Sequence, residues 1–423
     1  MSIHRTPTGS YRVKWRDPSG RQRSKNLPTK RAARDFLADI HGSISRGRYV
    51  DPHAGRVLFR VHAHQWLASR NDEATTKARD ASIMRNHVLR QWGDWPLSKI
   101  DHLSVQSWVT DLGQRRSPAT VAEAHRLTAA VLKSAVRNRL IAYNPCEGIR
   151  LPRRRKHDND ERVITRDDVL TRLLPAAPDR YRAIIATAAG TGLRWGEAAG
   201  LCDDALDLDA ATLRVVRTVV EVGGHTAFKL YPKSDASRRT VPLPHWLAPI
   251  ISDHRARYAR GVHQLLYPNQ VGKPLRRTLF RARVWRPTLV RAGLLGSVTE
   301  IAPQRYEGQW TDDASQLVTE KFRTHGQAVK HVARHATGAL RFHDLRHSYA
   351  TWLVDDEVPP NMVQRVMGHE HVATTLQLYV RRTEHHDRIR EALGIHDNQL
   401  DQADDDEGDE GEGGTAGVLV PIG

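Results

Sequence analysis

Six side chains spread over the second half of the chain have the types that phosphodiester cleavage requires. In chain order they are Arg194, Lys233, His343, Arg346, His369 and Tyr379. Two guanidinium groups can hold a phosphodiester through planar, charged hydrogen-bonding forks. A lysine and two histidines can move protons or donate hydrogen bonds, and a tyrosine can supply a nucleophilic oxygen. The set therefore predicts an active site that attacks phosphate esters.

The order of these residues and their neighbours are more specific than any one of them. Each piece alone is commonplace, since a His-x-x-Arg spacing is usually a surface turn of helix and a Gly-His pair a helix end. Together, Thr-Gly-Leu-Arg-Trp-Gly-Glu at 191–197, His-Asp-Leu-Arg-His at 343–347, Gly-His at 368–369 and Tyr379 resemble the tyrosine recombinases. Within that family they resemble the phage-type integrases. The resemblance covers residues 55–395 and is specific from 185 to 380.

Arg194 and Arg346 are the candidates for holding the phosphate. The non-bridging oxygens carry more negative charge in the transition state than in the ground state, so fixed donors around them favour the transition state. A guanidinium stays charged and presents a planar fork, which lysine cannot copy. Glu197, one helical turn after Arg194, can pair with an arginine and hold it in place.

The resemblance implies the roles of the other residues. Tyr379 is expected to be the nucleophile and to form an O-(3′-phospho-DNA)-tyrosine intermediate. A phenol ionises at about pH 10, so its proton must leave as the P–O bond forms. The resemblance implies His343 as the acceptor of this proton. His369 is expected to donate to a phosphate oxygen. Lys233, supported by the family-like Ser-Arg-Arg-Thr-Val-Pro run at 237–242, is expected to protonate the departing 5′-oxygen. Because the phosphotyrosine stores the energy of the broken bond, no metal ion, ATP or other cofactor is expected.

The net charge indicates a polyanionic partner. The chain has 65 Lys and Arg against 48 Asp and Glu, a net charge of +17. Segment 397–423 holds nine acids and no Lys or Arg, so residues 1–396 carry +26. Nucleic acid is the first expectation for such a body, because each neutralised phosphate releases condensed counterions.

Two other classes of protein are disfavoured. No run approaches the roughly 18 apolar residues of a membrane span, and the N-terminus lacks the apolar core of a signal peptide. Cys146 and Cys202 are the only cysteines, too few for a disulfide framework or a cysteine-built zinc site. We therefore expect a cytoplasmic protein without a membrane partner.

Overall, the patterns predict a multidomain fold, mainly α-helical with small β-sheets. Residues 1–50 are predicted to form a three-stranded sheet plus a helix that begins at Thr29. Apolar residues along the second strand alternate with Arg12, Lys14 and Arg16, so one face of the sheet is cationic. This unit resembles the arm-type DNA-binding domain at the front of many phage integrases. A basic sheet that merely packs on the body is the alternative.

Residues 55–150 are predicted to be a helical domain. Helical spacing of apolar residues is found at Val57, Val61, His64 and Leu67, and again at 105–112 and 124–135. Ser117-Pro118 supplies an N-cap followed by proline at the first helical position. The motifs at 93–97 and 141–145 resemble the core-binding domain of the family.

Segment 151–164 is predicted to be a basic linker between domains. Its residues Arg153, Arg154, Arg155 and Lys156 are expected to contact DNA. A plain charged linker without DNA contact is the alternative.

Residues 165–395 are predicted to be a mixed α+β catalytic domain. Thr165 begins its first helix through a capping-box-like run. Segments 213–222 and 226–230 are predicted to form a hairpin through two glycines, with 239–243 as a third strand.

An insertion is expected at about 295–340, because Arg194 and His343 are 149 positions apart. Its fold and role do not follow from the sequence. His331 and His335 share a helical face there, which provides too few ligands for a metal site, and an exposed or DNA-facing helix is expected instead. Met367, where a leucine is common, is a second departure from the family pattern. Segment 396–423 has the acidic, glycine-rich composition of a disordered tail.

The resemblance implies a site-specific DNA recombinase that integrates, and also excises, a phage or other mobile element. It implies double-stranded DNA attachment sites as substrates, a homotetramer on two duplexes, and an excisionase and a DNA-bending host protein as accessory partners. A type IB-like topoisomerase or resolvase would share the phosphotyrosine chemistry. A non-catalytic DNA-binding regulator with the same fold is the other alternative, against which the intact set of six residues argues.

Overall fold

The computed structural model describes the greater part of the chain. The described residues are 2–47, 49–51, 53–153, 162–229, 238–369, 372–373 and 375–376. Lys233, Tyr379 and the acidic tail at 396–423 lie outside them, as do Arg154, Arg155 and Lys156 of the predicted linker.

Three antiparallel strands and one helix form the front of the chain. They are β1 (Ser2–Arg5), β2 (Tyr11–Arg16), β3 (Gln22–Leu27) and α1 (Lys30–Ser45), with the strands in the order β1-β2-β3. Helix α1 begins where predicted, because the Thr29 hydroxyl accepts a hydrogen bond from the N–H of Ala32. Val13 and Trp15 are buried in a small core that includes Ala33 and Ile40 of α1. The predicted sheet and helix are therefore confirmed.

Five helices with a core of their own form the next region. They are α2 (Phe59–Ala68), α3 (Ala74–Ile83), α4 (Leu89–Trp92), α5 (His102–Arg115) and α6 (Pro118–Arg137), with a π-helical turn, Met84–Val88, between α3 and α4. The Ser117 side chain accepts a hydrogen bond from the N–H of Thr120, and Pro118 follows it as the first helical residue. Leu127 and Val131 of α6 are fully buried, so this helix has the predicted start and face.

Helix α2 buries a face that agrees only in part with the predicted one. The core side holds Phe59, His62 and Ala63, whereas Val61 is 45% exposed. Ten residues are short enough for two apolar stripes to compete. Burying the Phe59 ring removes more apolar surface from water than burying Val61 does. The predicted stripe was therefore wrong at Val61 and His64, which are exposed. Its other members, Val57 and Leu67, pack against the core as predicted.

The last region begins with helices around Thr165, whose side chain accepts from the N–H of Asp168 as predicted. The helices are α7 (Arg166–Asp168), α8 (Leu174–Ala176), α9 (Asp179–Thr191) and α10 (Trp195–Ala198), with a π-helical turn, Val169–Leu173, between α7 and α8. Ile164, the last residue of the predicted linker, is 4% exposed and belongs to this core. Its N–H donates to the Ser348 hydroxyl at 3.0 Å.

Five short strands follow, in two sheets. They are β4 (Leu206–Asp207), β5 (Thr212–Val215), β6 (Thr218–Val222), β7 (His225–Lys229) and β8 (Arg239–Pro242). The sheet orders are β4-β5-β8 and β6-β7. The long predicted strand at 213–222 is therefore wrong, because it breaks after Val215 and only its second half joins the hairpin. At the break Arg217 forms two hydrogen bonds of 2.8 Å with the Asp204 carboxylate, and β5 pairs with β8.

Helices α11 (Leu247–Arg257), α12 (Arg277–Phe280) and α13 (Arg286–Arg291) come next, with a π-helical turn, Arg281–Trp285, joining the last two. The rings of Trp195, Phe280 and Trp285 surround Phe342 at centroid distances of 5.0, 5.6 and 5.3 Å. These contacts anchor the residue that precedes His343.

The insertion forms a further three-stranded sheet, followed by a helix. Its elements are β9 (Ser297–Ala302), β10 (Arg305–Thr311), β11 (Leu317–Phe322) and α14 (His325–His335), with the strands in consecutive order. Trp310, Val329 and Val332 join the large core of the catalytic region. The sequence predicted a helix here but did not predict the sheet.

Two helices complete the described fold, α15 (Asp344–Asp355) and α16 (Pro360–Met367). Tyr349 of α15 packs with Val363 and Met367 of α16. No helix in the described ranges is long and apolar enough to cross a bilayer.

Candidate active site

Arg194 lies at a sharp turn between two helices. Helix α9 ends at Gly192, whose φ of 62° lies in the left-handed region, and Arg194 is the N-cap of α10. A Cβ at Gly192 would lie 2.4 Å from the ring of Tyr349. Glycine is therefore required there both for the backbone conformation and for the close approach of that ring. The turn leaves the Arg194 side chain 40% exposed.

The Glu197 carboxylate lies between two arginines. It accepts from Arg194 Nη1 at 3.0 Å and from Arg239 Nη1 and Nη2 at 3.1 and 2.8 Å. Burial alone would raise the pKa of Glu197, but the hydrogen bond and charge of Arg239, together with the charge of Arg194, lower it to about 2. The carboxylate is therefore ionised at neutral pH and restrains Arg194, as the sequence suggested for Glu197.

Three arginines from distant parts of the chain converge on the C-terminus of α16. Arg239 donates to the carbonyl of Val366 at 2.7 Å, Arg346 to that of Met367, and Arg194 to that of Gly368 at 3.1 Å. The last carbonyls of a helix lack partners within the helix, and the helix dipole makes them favourable neighbours for cations. The helix end thus fixes three guanidinium groups in one place.

Among the four predicted catalytic residues that the structure describes, Arg346 is the most buried, with 3% of its surface exposed. It also donates to the carbonyl of Gly192 at 2.7 Å. Burial, and then the positive charge of Arg194, lower the pKa of Arg346 to about 9. The residue is therefore still charged at pH 7. Because the two guanidinium groups repel each other, a bound anion stabilises the pair.

His369 follows the same helix end. Gly368 has a left-handed φ of 61°, which ends α16 and turns the chain toward the arginines, as predicted for this Gly-His pair. The His369 Nδ1 lies 2.9 Å from the hydroxyl oxygen of Thr375. Burial, then the charges of Arg346 and Arg194, lower the pKa of His369 to about 4. The imidazole is therefore neutral at pH 7.

His343 is the N-cap of α15, one helical turn before Arg346. Desolvation by the surrounding protein, then His347 and Arg346, lower the pKa of His343 to about 4. Its side chain is nevertheless exposed to solvent. A neutral, accessible imidazole can accept a proton from an incoming hydroxyl group.

The structure thus brings together four of the six predicted catalytic residues, Arg194, His343, Arg346 and His369. Arg194 and Arg346 donate to carbonyls at the end of α16, where His369 follows directly, and His343 lies one helical turn before Arg346. Lys233 and Tyr379 lie outside the described residues, so their positions relative to this group stay predictions.

Arg239, which bonds Glu197 and the Val366 carbonyl, is a residue of the candidate site that sequence reasoning missed. It lies in the 237–242 run that served only to support Lys233, and no local signal separates it from Arg238. A cavity of about 620 Å³ adjoins it, between β5, β8 and α16. Arg214, Arg238 and Arg365 line this cavity together with His369, so the surroundings of the site are cationic as well.

The residues predicted to contact DNA in the front sheet share one strand. Arg12 and Arg16 of β2 are exposed and Lys14 is half-buried, on the face opposite to buried Val13 and Trp15. Arg153 of the predicted linker is exposed. The described part of the chain holds no group of three or more His, Cys, Asp or Glu that could bind a metal ion.

Residues 163–386, just over half of the chain, match the phage integrase family model. A prophage phiRv2 integrase of Mycobacterium tuberculosis is 31% identical over 280 residues, which cover 63% of this chain and 72% of that protein. The integrase of Mycobacterium phage D29 is 24% identical over 315 residues, covering 68% of this chain and 81% of that protein.

Two solved structures share the fold. The Tn1549 transposon integrase in complex with transposon right end DNA has a TM-score of 0.58 at 18% identity, over 80% of this chain and 99% of that one. A lambda integrase dimer bound to a COC′ core site has a TM-score of 0.52 at 13% identity, over 90% and 95%. The fold agrees with the sequence matches, and the chain belongs to the phage integrase family of tyrosine recombinases.

Proposed function

We propose that the protein is a site-specific DNA recombinase that integrates, and also excises, a phage or other mobile element. The observation that carries the proposal is the anchoring of Arg194, Arg239 and Arg346 on three successive carbonyls beside His369. Donors that are held before the substrate arrives cost no reorganisation when charge develops on phosphate oxygens. The arrangement therefore suits a pentacoordinate phosphorus transition state.

In the proposed cleavage step the Tyr379 oxygen attacks the scissile phosphorus and the bond from phosphorus to the 5′-oxygen breaks. The phenol proton passes to His343, and Lys233 gives a proton to the departing 5′-oxygen. Arg194, Arg346 and His369 donate to the non-bridging oxygens. The product is a 3′-phosphotyrosine and a free 5′-hydroxyl. Attack by a 5′-hydroxyl from a second duplex reverses the step and joins the new partner.

The low pKa values of the two histidines support these roles. A His343 that is neutral at pH 7 can accept the phenol proton, whereas an imidazolium could not. A neutral His369 keeps one ring N–H for a phosphate oxygen, and binding of the anionic phosphate favours its protonated form. The arginines supply fixed positive charge, so the proposed step needs neither metal nor ATP.

The other regions suggest how DNA is held. We assign residues 1–50 to arm-type sites, 55–150 to the core site, 151–164 to the crossing between domains, and 165–395 to catalysis. The separate cores of the front sheet and the helical region support this division. A homotetramer on synapsed attachment sites, an excisionase and a DNA-bending host protein complete the proposal. Two buried, unpaired cysteines are compatible with the cytoplasm.

The test uses a duplex core site nicked near the cleavage position. After cleavage the short fragment that carries the free 5′-hydroxyl dissociates, so the covalent product accumulates. Wild-type protein should form an SDS-resistant protein–DNA adduct. Tyr379→Phe should keep DNA binding in a mobility-shift assay and form no adduct, because the nucleophilic oxygen is absent. Peptide mapping of the adduct should identify Tyr379.

Tyr143→Phe is the matched control, since Tyr143 is 64% exposed and lies in the helical region. It should form the adduct at the wild-type rate. An adduct that persists in Tyr379→Phe would remove this residue from the reaction. DNA binding by the wild type without any adduct would favour a non-catalytic regulator.

A further inference from the structure

The insertion repeats the fold found at the front of the chain. In both places three antiparallel strands in consecutive order are followed by one helix. Tyr11 pairs with Leu27 and Tyr306 with Phe322, and every pair of β2–β3 matches a pair of β10–β11 after an offset of 295 positions. Four pairs of β1–β2 and of β9–β10 share this offset. The two units therefore have the same strand register.

Local details of the two units also coincide. The Oδ1 atoms of Asp17 and Asp312 each accept hydrogen bonds from the backbone N–H groups two and four residues later. Thr29 and Thr324 each cap the following helix through the side-chain oxygen. Turn, register and cap together identify one structural unit that occurs twice in this chain.

The exposed sheet faces of the two units differ in charge. The outward residues of β2 are Arg12, Lys14 and Arg16. The outward residues at the equivalent positions of β10 are Glu307, Gln309 and Thr311. Three positive charges on β2 are thus replaced by one negative charge on β10, and Lys321 of β11, directly opposite Glu307, balances that charge. The sheet face that suits DNA in the first unit does not attract a polyanion in the second.

Two cations of the insertion, Lys330 and Arg334, line a groove between α14 and the segment from α12 to α13. This cationic groove has a volume of about 1090 Å³. Its cationic lining residues are Arg281, Arg283, Arg286, Arg291, Lys330 and Arg334. Asp313 is the one carboxylate among the lining residues. Within the described ranges no salt bridge neutralises the exposed cations of the groove, so they repel one another.

The two walls of the cationic groove are held together at its base. Arg286 is 9% exposed, and its guanidinium donates to the carbonyls of Ala333 and Ala336 at the end of α14. The spacing between Lys330 and Arg334 on one wall and the arginines on the other is therefore set by the fold. Such a site does not need to be assembled when its ligand binds.

We propose that the cationic groove binds the phosphate backbone of duplex DNA, as a contact separate from the cleavage pocket. The proposal rests on the recombinase function, which supplies the DNA. Phosphate contacts of this kind position the duplex and carry no direct sequence information. The front unit is thus proposed to bind DNA through its sheet face, whereas the insertion binds DNA through the cationic groove beside the catalytic region.

The test compares two double variants of the full chain on a duplex core site. Lys330→Ala/Arg334→Ala removes two charges from the cationic groove. Arg305→Ala/Lys321→Ala removes two exposed charges from the same insertion outside the groove, and is the matched control. Binding is measured over a series of salt concentrations. The slope of log K against log salt should fall by about 2 for the groove variant, about 0.9 for each phosphate contact, and stay unchanged for the control.

Equal slopes for the groove variant and the wild type would overturn the groove contact. Arg281→Ala/Arg283→Ala, on the opposite wall, provides a second measurement if the first variant melts at a lower temperature, and it should lower the slope by a similar amount. Adduct formation on nicked DNA reports the proposed function independently. A wild type that forms no adduct, combined with the expected slopes, would reject the recombinase and leave the groove as a DNA contact.

Discussion

Glu197 and Arg239, 42 positions apart in the chain, form a buried bidentate ion pair with N–O distances of 3.1 and 2.8 Å. Their side chains are 7% and 3% exposed. The pair connects the turn that carries Arg194 to β8, and Arg239 continues the connection to the Val366 carbonyl. It therefore fixes the position of a predicted catalytic arginine without requiring Arg239 to touch the substrate.

The first prediction concerns this pair. Arg239→Met should lower the free energy of unfolding by about 3–5 kcal/mol, because it leaves the Glu197 carboxylate buried without its main partner. Adding Glu197→Leu should restore much of that loss, since the unpaired charge is then removed. Urea unfolding of the two single variants and the double variant measures the coupling. Adduct formation should stay low in all three, because Arg194 loses its support.

The more exposed pair of Arg217 and Asp204 is the control for these variants, with side chains 28% and 54% exposed. Arg217→Met should change the free energy of unfolding by only about 0–1 kcal/mol, as solvent screens surface pairs. A similar cost for Arg217→Met and Arg239→Met would contradict the importance of burial.

The second prediction concerns the turn before Arg194. Gly192→Ala should destabilise the protein, because alanine would adopt a positive φ and its methyl group would meet the Tyr349 ring at 2.4 Å. The strain amounts to about 1–2 kcal/mol and the overpacking to a further 1–3 kcal/mol. Gly47→Ala has a similar φ of 66° and no atom within 4 Å of the new Cβ, so it should show the strain alone. Equal losses in urea unfolding would rule out the contact with Tyr349.

The third prediction concerns pH. The pKa of His369 is lowered from 6.5 to about 4, so between these values the unfolded chain binds a proton that the folded protein excludes. The stability that the neutral His369 contributes to the folded protein is therefore complete above pH 6.5 and is lost as the pH falls toward 4. Glu197, with a pKa of about 2, adds a loss that begins below pH 4.5. Urea unfolding at pH 7.5, 5.5 and 4.5 should show a shallower decline for His369→Gln. The same decline as in the wild type would show that another group causes it.

The fourth prediction concerns the front sheet. Arg12→Ala/Arg16→Ala should leave adduct formation on a short core site unchanged, and should lower recombination between long attachment sites about tenfold through lost phosphate contacts. Arg31→Ala/Arg34→Ala removes two exposed charges from α1 and is the matched control. If both variants recombine equally well, the exposed face of β2 is not the arm-type contact.

Features that depend on neighbouring residues could be predicted from the sequence. The caps at Thr29, Ser117 and Thr165 were predicted correctly, because each involves a side chain and a backbone N–H only three residues away. The left-handed Gly368 before His369 is local in the same sense. The front sheet followed from strict alternation of apolar and basic residues.

Features that depend on competition between alternative packing or strand-pairing arrangements could not be predicted from the sequence. The face of α2 depended on whether Phe59 or Val61 packs in the core, and the sequence permits both. The break after Val215 depended on whether β5 pairs with β8 or continues into the hairpin. In the insertion, Gly308 and Glu320 on the inward face interrupt the apolar alternation that marked the front sheet.

The sequence by itself determined which residue types are available for phosphate chemistry, their order, and the family they indicate. Only the tertiary structure decided that Arg194 and Arg346 meet at one helix end, through bonds that span 174 and 21 positions. It also revealed Arg239 as the partner of Glu197 and the repeat of the front fold within the catalytic region. The physical reason is that local signals act within a few residues, whereas these contacts form only after packing has paid the entropy of bringing distant segments together.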